Sequence, residues 1–159
     1  MTAASPLHRW TGTVLPDWID YNGHMNVAYY VMVFDRATEA FHASVGIDDS
    51  YRRAGHSTFA VEHHIAYLRE LHAGARIACA TRLTGLDDKR LTLFQELTDE
   101  GSGTLAATCE MLALHIDFVA RKAVPFPAEL HARLDKVLAA HRAVPFAGKI
   151  GRAIKVPGR

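Results

Sequence analysis

The sequence has little of what usually identifies a protein class. It contains two cysteines in 159 residues, its 18 basic and 17 acidic side chains nearly cancel, and no stretch approaches the roughly 20 apolar residues of a membrane helix. The first ten residues lack the apolar core of a signal peptide, and Cys79 and Cys109 lie in apolar, strand-like runs. We therefore expect a cytoplasmic protein with reduced cysteines, no membrane segment and no electrostatic preference for nucleic acid.

Catalytic and metal-binding signatures are also scarce. The Walker, G-x-G-x-x-G and G-x-S-x-G motifs are absent, as are H-E-x-x-H and C-x-x-C. Of the ten histidines, His63 and His64 are neighbours on a predicted strand and so point to opposite faces. His56, His72 and His115 have no matching ligand spacing. We therefore predict no metal site and no cofactor.

The patterns that are present alternate between strand and helix. Strand-like stretches, separated by turns rich in Gly and Asp, occupy residues 8–15, 57–71, 75–83, 90–98 and 104–119. Helical patterns cover residues 26–45, which Gly46 ends, and residues 128–141, which follow a proline. Residues 51–55 read as a loop.

The end of the sequence differs from the rest in charge. Residues 147–159 contain four basic side chains and no acidic one, so we expect this segment to be disordered or to lie on a partner. The predicted organisation is one domain over residues 1–145 and a basic tail over residues 146–159.

The first predicted helix is unusual because residues 27–34 are apolar on every side, and charged side chains begin only at Asp35. Such a helix is normally buried all round. One strand, one buried helix and four antiparallel strands predict an α+β hotdog fold, in which a curved five-stranded antiparallel sheet wraps around a long central helix. A short C-terminal helix follows. A second copy of the chain would cover the remaining face, which predicts a homodimer or homotetramer with shared active sites.

Residues 20–30 place polar side chains at the joint before this helix. Asp20 has two interpretations: a turn or N-cap aspartate, or a catalytic carboxylate beside the free N–H groups and positive end of the helix. Gly23 allows a ligand to approach the backbone, and Asn26 can cap the helix while the next N–H groups stay available to a carbonyl oxygen. His24 is either an acid, a base or a positioning group, or a hydrogen-bonded structural histidine.

The string D-x-x-G-H-x-N-x-x-x-Y, from Asp20 to Tyr30, resembles the motif of hotdog acyl-CoA thioesterases of the 4-hydroxybenzoyl-CoA thioesterase type. Within that family the chain is most similar to the betainyl-CoA thioesterase branch, which is sometimes fused to carnitine dehydrogenase. The segments that carry this likeness are Trp18 to Asn26, His64 to Leu68, Asp88 to Leu91, Ala107 to Leu112 and Leu114 to His115. The resemblance implies hydrolysis of a small acyl-CoA, above all betainyl-CoA, in carnitine and betaine catabolism.

The resemblance also implies roles for individual residues. Asp20 would be the catalytic carboxylate, as general base or as nucleophile, with His24 and Asn26 beside it. Backbone N–H groups near Asn26 and Val27 would hold the thioester carbonyl oxygen. The candidate cations for the CoA phosphates are Lys89 and Arg90, followed by Arg69, Arg121 and Lys122.

An acyl group with a quaternary ammonium would be held by aromatic faces, assisted by a carboxylate for which Glu62 is a candidate. The candidate substrate-binding residues are Trp18, Tyr21, Gly23, Val27, Tyr30 and Tyr67, with Tyr29 and Phe59 as further aromatic rings. A pocket of these rings would also accept a neutral aromatic or short-chain acyl group, so that substrate class stays open.

Two further functions occur on hotdog folds. Hydratases of this fold have Asp and His five residues apart with Pro between them, whereas Asp20 and His24 are four apart without Pro. A non-catalytic acyl-CoA-binding regulator would carry a DNA-binding helix-turn-helix, for which no segment fits. Thioester hydrolysis is therefore the favoured prediction.

Overall fold

The computed structural model describes residues 7–146 and 148–156, which form an antiparallel sheet with helices packed against it. The six strands of these residues are β1 (His8–Thr13), β2 (His56–Tyr67), β3 (Arg76–Leu86), β4 (Arg90–Asp99), β5 (Thr104–Asp117) and β6 (Lys122–Ala123). Their order in the sheet is β1-β3-β4-β5-β2, and the two-residue β6 pairs with the end of β5. The five long strands are those that the sequence predicts.

The helices are α1 (Val27–Ser44), α2 (Asp49–Arg53) and α3 (Ala128–Arg142), with a short 3-10 helix at Pro16–Trp18. The prediction of a plain loop at residues 51–55 is wrong for its first part, because α2 ends only at Arg53. Asp48 caps this helix: its Oδ1 accepts a hydrogen bond from the Tyr51 N–H at 3.0 Å.

Helix α1 packs against the concave face of the sheet through Phe34, Ala37 and Phe41, which are all buried. Every second residue of β4 and β5 faces this core, as the period of a strand requires. The Gln95 side chain, at the centre of β4, donates hydrogen bonds to the Phe34 carbonyl oxygen (3.0 Å) and to Thr38 Oγ1 (3.2 Å). The helix therefore has a fixed position over the sheet.

The expectation that the first half of this helix is buried on every side is wrong for the single chain. Val27 is 57% exposed and Val31 is 41% exposed, one helical turn apart on the face away from the sheet. Strand β2, which among the described residues pairs only with β5, also has exposed apolar residues, Phe59, Val61 and Tyr67. The sequence pattern showed that these residues are apolar. It did not show that a single chain leaves this face of the helix exposed to solvent.

Strand β2 is shorter than the sequence predicts, which is residues 57–71. It ends at Tyr67, after which the N–H groups of Leu68 and Arg69 both donate to the Ala106 carbonyl oxygen. The Leu71 carbonyl oxygen then accepts from the Met25 N–H at 2.7 Å. Residues 68–71 therefore leave the sheet and cross to the segment that precedes α1.

The C-terminal tail was expected to be disordered or to lie on a partner, but its described residues lie on the outer face of their own sheet. The Arg82 guanidinium donates to the carbonyl oxygens of His141, Val144 and Pro145. The Phe146 ring packs edge-on against Phe94, 4.9 Å between centroids. The Gly151 N–H donates to the Glu110 carboxylate. The domain boundary at residue 145 stays a prediction.

Across residues 7–146 and 148–156, no helix is both long enough and apolar enough to cross a membrane.

Candidate active site

The segment before α1 is a tight turn closed by its own backbone. The Asp20 N–H donates to the His24 carbonyl oxygen (3.2 Å), and the Gly23 N–H donates to the Asp20 carbonyl oxygen (2.9 Å). Gly23 has φ +80°, a left-handed conformation that costs glycine little. On either side, Ile19 and Met25 form an isolated antiparallel bridge. This turn holds the Asp20 side chain at the start of the helix.

The Asp20 carboxylate accepts hydrogen bonds with both of its oxygens. Oδ1 accepts from the Asn22 N–H at 2.8 Å, and Oδ2 accepts from the Asn26 Nδ2 amide at 3.0 Å. The Asn22 N–H lowers the pKa of Asp20, and the Asn26 amide and the nearby His24 lower it further, against a small opposing effect of desolvation. Asp20 is therefore ionised at neutral pH, as a base or a nucleophile must be.

Asn26 connects this carboxylate to the helix. While its amide nitrogen donates to Asp20, its Oδ1 accepts from the Ala28 N–H at 3.0 Å and so caps α1. The Tyr29 N–H donates to the Asn26 carbonyl oxygen. Among the described residues, no acceptor contacts the Val27 N–H. A backbone donor at the positive end of an 18-residue helix thus stays available next to an ionised carboxylate.

A cleft of about 220 Å³ opens beside this helix end. The described residues that line it are His24, Met25, Val27, Tyr30, Tyr67, Leu68, Arg69 and Glu70. The rings of Tyr30 and Tyr67 meet edge to face, with centroids 5.1 Å apart and planes at 86°. Glu70 Oε1 lies 3.7 Å from His24 Nε2. The cleft therefore combines two aromatic rings, a carboxylate and the free helix N-terminus.

The structure brings some predicted substrate residues to this cleft and leaves others away from it. Val27, Tyr30 and Tyr67 line it, and Gly23 forms the adjacent turn. Trp18 is buried and stacks on Tyr29 (centroids 5.3 Å apart), where it supports the turn, and Tyr21 points into solvent. Phe59 packs on Phe118, towards the other end of β2.

Glu62 does not face this cleft in the chain. It is opposite Leu112 on the outer face of the sheet, where it lines a separate cleft with His64, Glu110 and Arg152. The register between β2 and β5 shifts at Val61, where β2 has a bulge. Counting alternate residues from one end of β2 therefore places Glu62 on one face of the sheet, and counting from the other end places it on the opposite face. The suggestion of Glu62 as a counter-charge is therefore wrong for a single chain.

The predicted CoA cations lie at a distance from Asp20 in one chain. Lys89 and Arg90 follow the β3–β4 turn, where Arg90 pairs with Asp87 and lowers the pKa of Asp87 to about 2. Asp99, at the other end of the ten-residue β4, lines a cleft with Arg69 and Glu70 and so lies at the end of the sheet where the site is. The Lys89–Arg90 turn and Asp99 are about 30 Å apart. Arg121 and Lys122 lie beyond the end of β5. Of the candidate cations, only Arg69 lines the cleft beside the start of α1, and its Nη1 donates to the Leu68 carbonyl oxygen at 2.7 Å.

Two residues near the site were not among the sequence predictions. Glu70 lines the cleft, and the Nδ1 of His72 donates to the Gly23 carbonyl oxygen at 3.1 Å. Both follow β2 in a segment that was interpreted as strand, and the cluster of charged side chains Arg69, Glu70 and His72 was the available sign that the strand ends earlier. Within the described part of the chain, no group of three or more His, Cys, Asp or Glu side chains could hold a metal ion.

Comparison with known proteins identifies the family. Residues 14–134 match the family model of the thioesterase-like superfamily. The chain is 42% identical over 145 residues to the betainyl-CoA thioesterase of Pseudomonas aeruginosa, covering 91% of both chains. It is 44% identical over 130 residues to the L-carnitine dehydrogenase/betainyl-CoA thioesterase of Agrobacterium fabrum, of whose length it spans 27%.

Solved structures show the same fold. A hypothetical protein from Staphylococcus aureus, described in complex with CoA, superposes with a TM-score of 0.89 at 29% identity and covers 99% of both chains. A putative thioesterase from Pseudomonas putida superposes with a TM-score of 0.82 at 31% identity, covering 96% of this chain and 97% of that one. The hotdog fold and the family resemblance are both confirmed: the chain belongs to the thioesterase-like superfamily.

Proposed function

We propose that this protein is an acyl-CoA thioesterase that hydrolyses betainyl-CoA. The observation that carries the proposal is the pairing of an ionised Asp20 with the free Val27 N–H at the start of α1, joined through Asn26. The 42% identical relative, whose name is betainyl-CoA thioesterase, supports the choice of acyl group.

In the proposed reaction the thioester carbonyl oxygen accepts a hydrogen bond from the Val27 N–H, and the helix dipole stabilises the negative charge that develops there. Asp20 takes a proton from water, and the water oxygen attacks the carbonyl carbon. The C–S bond then breaks, and the CoA thiolate takes the proton from Asp20. Direct attack by Asp20 to form a mixed anhydride, which water then hydrolyses, is the alternative. The chemistry needs only water and the CoA thioester, so we propose no cofactor.

His24 fits a supporting role in this scheme. It lies in the same cleft, 3.7 Å from Glu70 and close enough to Asp20 to lower the pKa of that carboxyl. Neither observation makes it the proton carrier, since Asp20 alone can accept and return the proton. We propose that His24 orients the charged groups around the acyl moiety.

We propose that two copies of the chain complete each active site. In the described part of the chain, one edge of strand β2 has no partner strand, and Val27, Val31 and Tyr67 leave apolar surface uncovered next to the cleft. Antiparallel pairing of two β2 edges would reverse the second sheet. It would thus bring the Lys89–Arg90 turn of that copy to the end of the sheet where Asp20 lies. The CoA phosphates could then meet these cations across the interface.

We place the enzyme in the cytoplasm. Cys79 and Cys109 are both free and buried, and burial raises the pKa of the Cys109 thiol to about 12, which keeps it protonated and unreactive. Thiols of this kind suit a reducing compartment.

The test is a comparison of kcat/KM for betainyl-CoA, 4-hydroxybenzoyl-CoA and acetyl-CoA, measured by release of the free CoA thiol. We expect betainyl-CoA to be the preferred substrate. A preference for a neutral acyl group would leave the thioesterase assignment standing and reject betainyl-CoA. Failure to release thiol from any of the three would reject the thioesterase.

A further inference from the structure

We propose that Glu70 and the Tyr30–Tyr67 ring pair form a subsite for the quaternary ammonium of the acyl group, and that Glu70 sets the preference for a cationic over a neutral substrate. This inference rests on the proposed function and adds to it the residue that recognises the positive charge of the acyl group. It also replaces Glu62, which lies on the opposite face of the sheet.

The position of Glu70 follows from the backbone around it. The Leu68 and Arg69 N–H groups donate to the Ala106 carbonyl oxygen, and the Leu71 carbonyl oxygen accepts from the Met25 N–H. These bonds hold residue 70 between the end of β2 and the start of α1. Glu70 is the one acidic side chain among the described residues that line this cleft. A negative charge therefore lines the same cleft as Val27, at the helix end that would receive the carbonyl oxygen.

The two tyrosines supply what a quaternary ammonium requires. Because it has no N–H group, this cation cannot donate an ordinary hydrogen bond, and it binds through aromatic faces and negative charge. Tyr67 is half-exposed, so its ring is accessible to a cation, whereas Tyr30 is buried (4% exposed) and packs against Tyr67 edge to face, with the two planes at 86°. Tyr30 Oη donates to the Arg69 carbonyl oxygen at 3.4 Å, which fixes the first ring.

The electrostatics of this subsite agree with a cation site. Burial raises the pKa of Tyr30, a backbone hydrogen bond at Leu71 opposes this, and Tyr67 and Glu70 raise the pKa further. The competing cation, Arg69, donates to the Leu68 carbonyl oxygen. The other carboxylate of the region, Asp20, already accepts hydrogen bonds from Asn22 and Asn26. Glu70 Oε1 lies 3.7 Å from His24 Nε2, too far for a hydrogen bond, so Glu70 is the acid with capacity left for the substrate.

The decisive experiment compares two thioesters of equal shape. 3,3-Dimethylbutyryl-CoA has a tert-butyl group where betainyl-CoA has the trimethylammonium, so only the charge differs. We expect wild-type enzyme to have the higher kcat/KM for betainyl-CoA. Glu70→Gln should lower the betainyl-to-dimethylbutyryl ratio by roughly tenfold, through loss of betainyl-CoA hydrolysis alone. The rate on the neutral thioester shows that the variant is folded and catalytically intact.

Matched variants show whether the change in this ratio is specific to Glu70 and to the Tyr67 ring. Glu62→Gln removes the same charge from the outer face and should leave the ratio unchanged. Tyr67→Leu should lower the ratio several-fold, whereas Tyr67→Phe, which keeps the ring, should preserve most of it.

Two outcomes would overturn the proposal in distinguishable ways. In the first, wild-type enzyme prefers betainyl-CoA, but Glu70→Gln keeps the same ratio or loses both activities equally. Glu70 then does not recognise the charge of the acyl group, and the betainyl-CoA assignment still stands. If wild-type enzyme itself does not prefer betainyl-CoA to its neutral isostere, the cation subsite and the proposed substrate both fail.

Discussion

The two ends of helix α1 are built for different purposes. At its N-terminal end, Asn26 caps the helix but leaves the Val27 N–H without an acceptor among the described residues, and the surface around it is open. In its C-terminal half, Phe41 and His42 are buried, and the Thr38 hydroxyl is bonded within the protein. The same helix thus offers one end to a ligand and uses the other to hold its place. A helix can present free donors to a substrate because its other half is fixed.

The buried half shows how tightly the helix is fixed. Thr38 Oγ1 donates to the Phe34 carbonyl oxygen at 2.9 Å, and Gln95 reaches both residues from β4. The His42 ring is packed beside Phe41 and lies 3.4 Å from Thr58 Oγ1. Substitutions at the two ends should therefore separate catalysis from stability, and four variants test that separation.

The largest expected effect is at Asp20. Asp20→Asn removes the proton acceptor or nucleophile while keeping the shape, so kcat should fall by about 10²–10⁴-fold with little change in thermal unfolding. Thiol release under single-turnover conditions and a melting curve measure the two quantities. Asp17→Asn, three residues earlier and solvent-exposed, is the matched control and should keep full activity. A folded Asp20→Asn enzyme with wild-type activity would show that another group carries the chemistry.

The buried half should respond in the opposite way. Phe41→Ala leaves a cavity between α1 and the sheet, so the free energy of unfolding should fall by about 3–5 kcal/mol. Below the unfolding transition, kcat per folded molecule should stay near wild type. Denaturant titration at a fixed protein concentration measures the loss, since an oligomer's stability depends on concentration. Phe41→Leu, which keeps more volume, should lose less. A large fall in kcat without loss of stability would mean that the two halves are not separable.

The pH dependence of stability reports on the same half. Burial, with a contribution from Arg52, lowers the pKa of His42 to about 4. Below its ordinary value of about 6.5, the unfolded chain binds a proton that the folded chain does not. Stability should therefore fall as the pH drops from about 6.5 to about 4, by up to about 3 kcal/mol. Unfolding curves at several pH values measure the slope, and His42→Gln should flatten it. An unchanged slope in that variant would mean that a group other than His42 takes up the proton on unfolding.

The smallest effect is expected at the cap itself. Asn26→Ala removes the hydrogen bonds to Asp20 and to the Ala28 N–H, so it should cost about 1 kcal/mol of stability and roughly tenfold in kcat. Asp48→Ala removes the cap of α2, where no substrate group is proposed, and should cost a similar amount of stability without loss of activity. Equal losses of kcat in the two variants would indicate that capping, and not contact with Asp20, limits the rate.

Much of the site could be predicted from the sequence because it is local. Asp20, Gly23 and Asn26 are within seven residues of one another, and the turn and cap that join them are short-range hydrogen bonds. Similarly, the pairing of β3 with β4 and of β4 with β5 follows from the turns between successive strands, whereas β1 and β2 pair with strands that are not their neighbours in the sequence. Local spacing is enough to place such groups.

The parts that could not be predicted depend on contacts between distant segments. Glu70 is 46 residues from His24 in the sequence, and it reaches the cleft only because β2 ends at Tyr67 and Leu71 bonds to Met25. The bulge at Val61 decides the face of Glu62, and Arg82 on β3 holds the tail on the outer face. The periodicity of a sequence describes which residues of one strand or helix share a face. It does not show which other segment packs against that face.

The sequence by itself determined the hotdog fold class, the turn from Asp20 to Val27 and the family, because each depends on residues close together along the chain. Only the tertiary structure decided which carboxylate and which rings share the cleft, that the Lys89–Arg90 turn lies at the far end of β4 from it, and that one face of the first half of α1 is uncovered. The physical reason is register and packing: bulges and strand ends set by long-range backbone hydrogen bonds decide which side chains meet.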